Sequence, residues 1–164
     1  MLNELKCVCE NVEIDKYLEL YKYVRENMEH PEWLGTFTKE EINEILKDGG
    51  KIWLYFNKQE LVCSMFYMPI KESSLRKHNV MFNEIEVGAL GPIMVSPKYV
   101  GNGLQNEMIQ VLNKYCIDNN KKYIYTKVCS DNVYCLRNLI KNGYILKDEY
   151  ENERGMNSAL IKEL

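Results

Sequence analysis

The spacing of the apolar residues changes repeatedly along this chain, and that change restricts its fold more than any other feature. Consecutive apolar and aromatic residues at 52–56 and 61–68 are typical of buried strands. In the segments 14–28 and 104–115 the apolar residues recur every three or four positions, which is typical of amphipathic helices. The sequence therefore predicts a mixed α/β fold built on one central sheet.

The predicted elements are strand 5–12, helices 14–28 and 38–47, strands 52–56, 61–68 and 85–95, helix 104–115, strand 123–129, helix 132–142, and strands 144–146 and 158–161. Thr38 and Glu41 form a capping box at the start of the second helix. The polar stretch 71–79 is predicted to be a loop, with contact to an anionic ligand as the alternative. The 164 residues are expected to form a single domain, 1–164.

Charge and hydropathy exclude several classes of protein. The chain has 21 basic and 24 acidic residues, a net charge of −3, whereas nucleic-acid binders usually carry a basic excess. No apolar run approaches the roughly 20 residues that span a bilayer, and residues 1–6 lack the order of a secretion signal. We expect a cytoplasmic protein, monomer or homodimer, with no nucleic-acid or membrane partner.

The six cysteines do not indicate a metal site or a disulfide framework. None of them has Cys-x-x-Cys spacing, and the chain has only two histidines. Free cysteines are commonly buried. We therefore predict ordinary buried or half-buried thiols, no disulfide and no metal.

Two glycines mark the junction between the predicted strand 85–95 and the helix that follows. Gly101 and Gly103 allow the backbone to turn so that several N–H groups and the helix dipole point at one place. A phosphate or pyrophosphate suits such a place, and a plain tight turn is the alternative. The junction has neither the Gly-Lys-Ser/Thr of a P-loop nor the third glycine of a dinucleotide fingerprint.

Gly91 and Pro92 interrupt the same strand. Proline cannot donate to a β-ladder, so it indicates a break in pairing or an edge strand. The apolar character of 87–95 favours a central strand that splays from its neighbour. Such a strand leaves backbone groups available to an extended ligand.

The segment 100–105 resembles the acetyl-CoA loop of the GNAT (N-acetyltransferase) superfamily. A second block resembles the family's C-terminal motif in register, with Asn132, Cys135, Lys141, Gly143 and Tyr144 at its positions. Three residues depart from the family: Val100 stands where Arg or Gln is expected, Gln105 where a small residue is usual, and Leu139 where the family often has a tyrosine acid. The resemblance implies a central, mostly antiparallel mixed sheet with helices on both faces and a splayed strand at the acyl-CoA site.

The resemblance also implies a cofactor, a reaction and site residues. Acetyl-CoA would donate its acetyl group to a primary amine of a small molecule or peptide by direct attack, without a metal. Its pantetheine arm would contact Asn132 and the backbone of Ile93, Met94 and Val95. Its pyrophosphate would lie on the amides of Val100, Gly101, Asn102, Gly103, Leu104 and Gln105.

Proton transfer is where the chain departs most from its relatives. Glu86 is the first candidate for the base and Glu84 the second, and Tyr134 is the candidate acid, although surface carboxylates and a structural tyrosine are the alternatives. Trp33, Tyr67 and the stretch 72–79 are candidates for the acceptor pocket, with core packing as the alternative for the two aromatic residues. A catalytically silent acyl-CoA-binding or regulatory domain is the rival function, and a nucleotide-phosphate binding module is a weaker one.

Overall fold

A computed structural model of the chain describes residues 4–7 and 11–164. The helices are α1 (Asn11–Glu26), α2 (Lys39–Lys47), α3 (Glu72–Arg76), α4 (Leu104–Asp118) and α5 (Val133–Lys141). The strands are β1 (Glu4–Cys7), β2 (Lys51–Asn57), β3 (Glu60–Pro69), β4 (Val87–Val95), β5 (Tyr123–Cys129), β6 (Ile145–Asn152) and β7 (Gly155–Glu163). These residues form two compact units, and β3, β4 and α4 each contribute to both.

Unit 1 contains residues 1–67 and 92–108. Strands β1, β2 and β3 pair antiparallel, and the second half of β4 follows β3, with the amide of Ser96 donating to the Val62 carbonyl at 2.8 Å. Its helix α1 buries Tyr17, whose ring meets Phe66 of β3 edge-on at 5.9 Å. Aromatic packing of this kind stabilises the helix against the sheet.

Unit 2 contains residues 68–91 and 109–164. The first half of β4 pairs parallel with β5, and β5, β7 and β6 then pair antiparallel. Tyr125 and Ile161 point to one face of this sheet, and Ile124 and Leu160 point to the other. All four are buried, so helices or loops cover both faces.

The predicted fold class is confirmed: the architecture is mixed α/β, with a mostly antiparallel sheet and one parallel pair. The capping box at Thr38 is confirmed, and so are the bounds of the strand 123–129. The pairing of β4 with β5 is confined to Val87–Leu90 and Tyr123–Thr126, although β4 runs on to Val95 and β5 to Cys129. The break in pairing predicted at Gly91 and Pro92 is thus confirmed.

Other predicted bounds were wrong. The first strand ends at Cys7 and α1 already begins at Asn11, while residues 8–10 of the prediction lie outside the described residues. The stretch 71–79 contains a short helix, α3, because Leu75 is buried in the core of unit 2. One apolar residue in a polar stretch shows no period, so the sequence pattern does not reveal this helix.

Strand β6 is also much longer than the predicted 144–146. Its second half is polar, and its residues are held by pairing with β7 as far as Asn152 opposite Gly155. Such a strand has no apolar alternation to detect. Within the described residues, no helix combines the length and the apolar character needed to cross a bilayer.

Candidate functional site

The glycine-containing junction lies in unit 1, between the end of β4 and the start of α4. A one-turn 3-10 helix, Pro97–Tyr99, opens it. The Tyr99 hydroxyl donates to Glu60 Oε2 at 2.9 Å and accepts from Asn57 Nδ2 at 3.2 Å. Because Asn57 and Glu60 end β2 and begin β3, the hairpin between these strands holds the junction in place.

Gly101 and Gly103 have φ values of +88° and +75°. Side chains other than glycine rarely adopt this left-handed region. A Cβ added to either glycine would meet no atom within 4 Å, so both face open space. The side chain of Asn102, between them, donates to the Tyr99 carbonyl at 2.9 Å and closes the turn.

Helix α4 begins directly after Gly103, which has no side chain. Its first helical bond runs from the Glu107 amide to the Gly103 carbonyl at 3.1 Å. In α2, by contrast, the Thr38 hydroxyl accepts from the Glu41 amide at 3.2 Å. The first N–H groups of a helix have no partner within the helix. A glycine before α4, with open space beside it, therefore suits a bound anion. A role of the junction in holding the pyrophosphate of acetyl-CoA stays a prediction.

Lys98 supplies the positive charge of this junction. Its ammonium lies 3.6 Å from a carboxylate oxygen of Glu60, and both side chains are substantially exposed. The family's Arg or Gln precedes the first glycine by three residues, a position that falls on Lys98 rather than on Val100. The Val100 side chain is exposed, and its place in cofactor binding stays a prediction.

The end of β4 carries the residues predicted to bind the pantetheine arm. Met94 is buried, whereas Ile93 and Val95 are half-buried. Within unit 1, β3 is the strand beside this part of β4, and no strand lies on its other side. The backbone of 93–95 therefore has one edge without a strand partner in this unit, as the prediction requires. A role in cofactor binding stays a prediction.

Asn132 and Tyr134 lie in unit 2, at the start of α5. Asn132 caps this helix, with its Oδ1 accepting from the Cys135 amide at 3.2 Å, which leaves Nδ2 as a donor. Tyr134 is 83% exposed. Leu139, at the position of the family's tyrosine, is buried. These observations leave both predicted roles as predictions.

Glu86 and Glu84 also lie in unit 2, in a one-turn 3-10 helix just before β4 rather than on the strand itself. Glu86 forms an ion pair with Lys122, and this partner raises the pKa of Lys122. Glu84 accepts from the Glu72 amide at 2.7 Å. Glu84 thus has a structural partner at the start of α3, whereas Glu86 has an ionic one.

The acceptor-pocket candidates do not all lie in one unit. In unit 1 the half-buried Trp33 stacks on His30 at 4.3 Å, and Tyr67 is buried. The stretch 72–79 belongs to unit 2. Sequence reasoning missed Lys127 and Arg154, which lie near Lys77 of that stretch. The two-residue period of a strand could have indicated Lys127, because it places this residue on the same face as Tyr125.

Four cysteines have described side chains, and these four are thiols outside any disulfide: Cys63, Cys116 and Cys129 are buried and Cys135 is half-buried. Burial raises the pKa of Cys63 and of Cys116 to about 12, so neither is an activated nucleophile. Among the residues that the structure describes, no group of three His, Cys, Asp or Glu side chains could hold a metal ion.

Comparison with solved structures decides the fold. An N-acetyltransferase from Staphylococcus aureus superposes with a TM-score of 0.76 at 16% identity, over 99% of this chain and 97% of that chain. This chain has the GNAT fold. A GNAT-family acetyltransferase from Streptococcus pneumoniae superposes with a TM-score of 0.72 at 14% identity, over 98% and 99% of the two chains.

A third solved structure of the GNAT fold contains a ligand. It is a GNAT-family acetyltransferase from Elizabethkingia anophelis with acetyl-CoA bound, with a TM-score of 0.60 at 15% identity over 77% of this chain and 84% of that chain. No protein-family model matches the sequence, and no curated protein matches it in sequence. The likeness to known proteins is thus one of fold.

Proposed function

We propose that this protein is an N-acetyltransferase that transfers the acetyl group of acetyl-CoA to a primary amine of a small molecule or peptide. The observation that carries the proposal is the turn before α4, where two glycines with positive φ face open space at the N-terminus of a helix. Backbone amides at a helix N-terminus bind phosphate groups well. The GNAT fold and the acetyl-CoA bound to one protein of that fold support the choice of ligand.

The residues of unit 1 have a binding role in this proposal. The amides of 100–105 hold the pyrophosphate, and Lys98 adds a positive charge beside them. The backbone of 93–95 accepts and donates hydrogen bonds along the pantetheine arm. Asn132, in unit 2, donates from Nδ2 to a carbonyl of the same arm. These contacts orient the thioester and contribute no chemical step.

The chemistry is a direct acyl transfer. The amine nitrogen attacks the thioester carbonyl carbon, a C–N bond forms, and the C–S bond breaks to release the thiolate of CoA. Glu86 takes the proton that the amine loses, and Tyr134 donates a proton to the thiolate. A thiolate with a pKa near 8.5 is a fair leaving group at neutral pH, so the base matters more than the acid.

A catalytically silent acyl-CoA-binding domain is the second candidate. One observation favours it: the position of the family's acid holds Leu139, which is buried, and the substitute Tyr134 is almost fully exposed. Such a protein would bind acetyl-CoA at the same loop without turnover.

Two measurements decide between these functions. Titration calorimetry measures acetyl-CoA binding, and a thiol reagent follows release of CoA with a panel of primary amines and with no amine. We expect binding together with amine-dependent release. Binding without amine-dependent release would favour the silent domain, and absence of binding would overturn both functions.

A further inference from the structure

Three cationic side chains of unit 2 are near enough for the charges of Lys77 and Arg154 to act on Lys127, and they define a basic cluster: Lys77, Lys127 and Arg154. They come from three segments, namely the end of α3, strand β5 and the turn between β6 and β7. Lys127 pairs with Ala159 of β7, and Asp148 of β6 pairs with the same Ala159 from the other side. Paired residues share a face, so Lys127 projects from the face that also carries Asp148.

No member of the basic cluster has an anionic partner among the described residues. Asp148, the acidic residue on this face, already has a partner, because its Oδ2 lies 3.1 Å from the ring nitrogen Nδ1 of His78. Glu149 and Glu151 alternate onto the opposite face of β6. Lys127 is an exposed residue, yet desolvation of its ammonium group, followed by the charges of Arg154 and Lys77, lowers its pKa. Like charges that crowd together without a counter-ion favour the binding of an anion.

Two tyrosine hydroxyls beside the cluster also lack partners. Tyr125 precedes Lys127 by two residues on β5, and Tyr150 follows Asp148 by two residues on β6, so both tyrosines lie on the same face as the cluster. The ring of His78 lies 4.1 Å from the ring of Tyr150. Both hydroxyls are buried without a hydrogen bond among the described residues. Burial raises the pKa of both, so they stay protonated and can donate. Buried polar groups in folded proteins normally find a partner.

We propose that the basic cluster, with the hydroxyls of Tyr125 and Tyr150, binds an anionic group of the acceptor amine. This inference rests on the proposed N-acetyltransferase function and names its substrate class: amines that carry a carboxylate or a phosphate some distance from the nitrogen. Lysine and arginine bind both groups by charge-assisted hydrogen bonds. A site with protonated hydroxyls and three cations discriminates against neutral amines, since these leave its charges uncompensated.

The test uses matched amines that differ only in the anionic group. Straight-chain amino alcohols of increasing length are compared with the ω-amino acids and with the phosphate esters of the same alcohols. We expect kcat/KM for one anionic series to exceed that for the alcohols by at least tenfold, about 1.4 kcal/mol of discrimination. The series with the larger advantage identifies the group as carboxylate or phosphate.

Three variants tie this preference to the cluster. Lys127→Met is expected to reduce the preference at least tenfold, and Lys127→Arg is expected to retain it. Lys114→Met is the matched control, because Lys114 is exposed on α4 and pairs with Asp118 at 2.8 Å. Circular dichroism checks that each variant folds. Equal kcat/KM for anionic and neutral amines, or an unchanged preference in Lys127→Met, would overturn the inference while the proposed function stands.

Calorimetry separates the two failures. If no amine is acetylated, the phosphate ester of 3-aminopropanol is titrated into the protein without acetyl-CoA. Binding that Lys127→Met abolishes and Lys114→Met retains would support the anion site even though the transferase function fails. Absence of binding in the wild-type protein would then overturn the inference as well.

Discussion

The loop of unit 1 and the basic cluster of unit 2 suit anions by opposite means. In the proposed function the loop uses the backbone amides that follow Gly101 and Gly103 at the start of α4. The cluster uses the side chains of Lys77, Lys127 and Arg154, placed by an element end, a strand and a turn. A backbone site survives most substitutions of its side chains, whereas a side-chain site changes its ligand with one mutation. The loop therefore suits an acyl donor that stays the same, and the basic cluster suits an acceptor amine that varies.

The largest expected effect concerns a side chain of unit 2. Glu86→Gln removes the proposed base and keeps the size of the side chain. General-base help is typically worth roughly 10²–10⁴-fold, so kcat/KM should fall at least tenfold. The loss should be greatest at low pH, where most of the amine is protonated. A pH–rate profile measures both effects.

Lys122→Met is the matched variant, because it breaks the same ion pair and leaves the carboxylate. An exposed ion pair contributes little to stability. If the pair is only structural, the two variants should behave alike. Wild-type activity in Glu86→Gln throughout the pH range would place the base elsewhere.

The second prediction tests the backbone site. Gly103→Val places a branched side chain at φ +75°, in the open space that the pyrophosphate would occupy. Acetyl-CoA affinity should fall tenfold or more, about 1.4 kcal/mol. Gly49→Val is the control: Gly49 also has a positive φ of +98° and open space, but it follows α2. Calorimetry should show a loss of affinity in the first variant alone, and equal losses would refute the loop assignment.

The third prediction concerns two buried thiols, one in each unit. Cys63 of unit 1 and Cys116 of unit 2 have pKa values of about 12 against an ordinary 9.0. The folded protein keeps both thiols protonated, whereas the unfolded chain loses these protons above about pH 9. The free energy of unfolding should therefore be constant below pH 9 and fall as pH rises toward 12.

At pH 10 the loss should be about 1 kcal/mol for each thiol. Urea unfolding at pH 7, 9 and 10 measures it, and a variant with Cys63→Ala and Cys116→Ala should show a shallower decline. An equal slope in this variant would assign the alkaline loss to the buried tyrosines instead.

The smallest effect is expected from a side chain at the backbone site. Lys98→Met removes the exposed ammonium beside the loop, which already lies near Glu60. An exposed ionic contact is worth about 1 kcal/mol or less, so acetyl-CoA affinity should fall about two- to fivefold, and less at high salt. Val100→Ala, at an exposed apolar side chain, should leave the affinity unchanged. A loss as large as that of Gly103→Val would mean that this site depends on side chains too.

The sequence by itself determined the features whose physics is local. Thr38 and Glu41 close a capping box within one turn, and the apolar residues of β5 follow one another, so both are visible in the sequence. Pro92 has no N–H to donate to a ladder, so the residue itself indicated the break in the pairing of β4 with β5. The pattern around Gly101 and Gly103 indicated the turn because few other residues adopt a positive φ.

Only the tertiary structure decided the features that depend on distant partners. The polar half of β6 is a strand because β7 pairs with it, and α3 forms because Leu75 packs into a core made by β4, β5 and β7. Glu86 pairs with Lys122. The charges of Lys77 and Arg154 act on Lys127. In both cases the residues are tens of positions apart in the sequence. Charge pairs and clusters leave no period in the sequence, since they arise from strand register and chain reversal rather than from neighbouring residues.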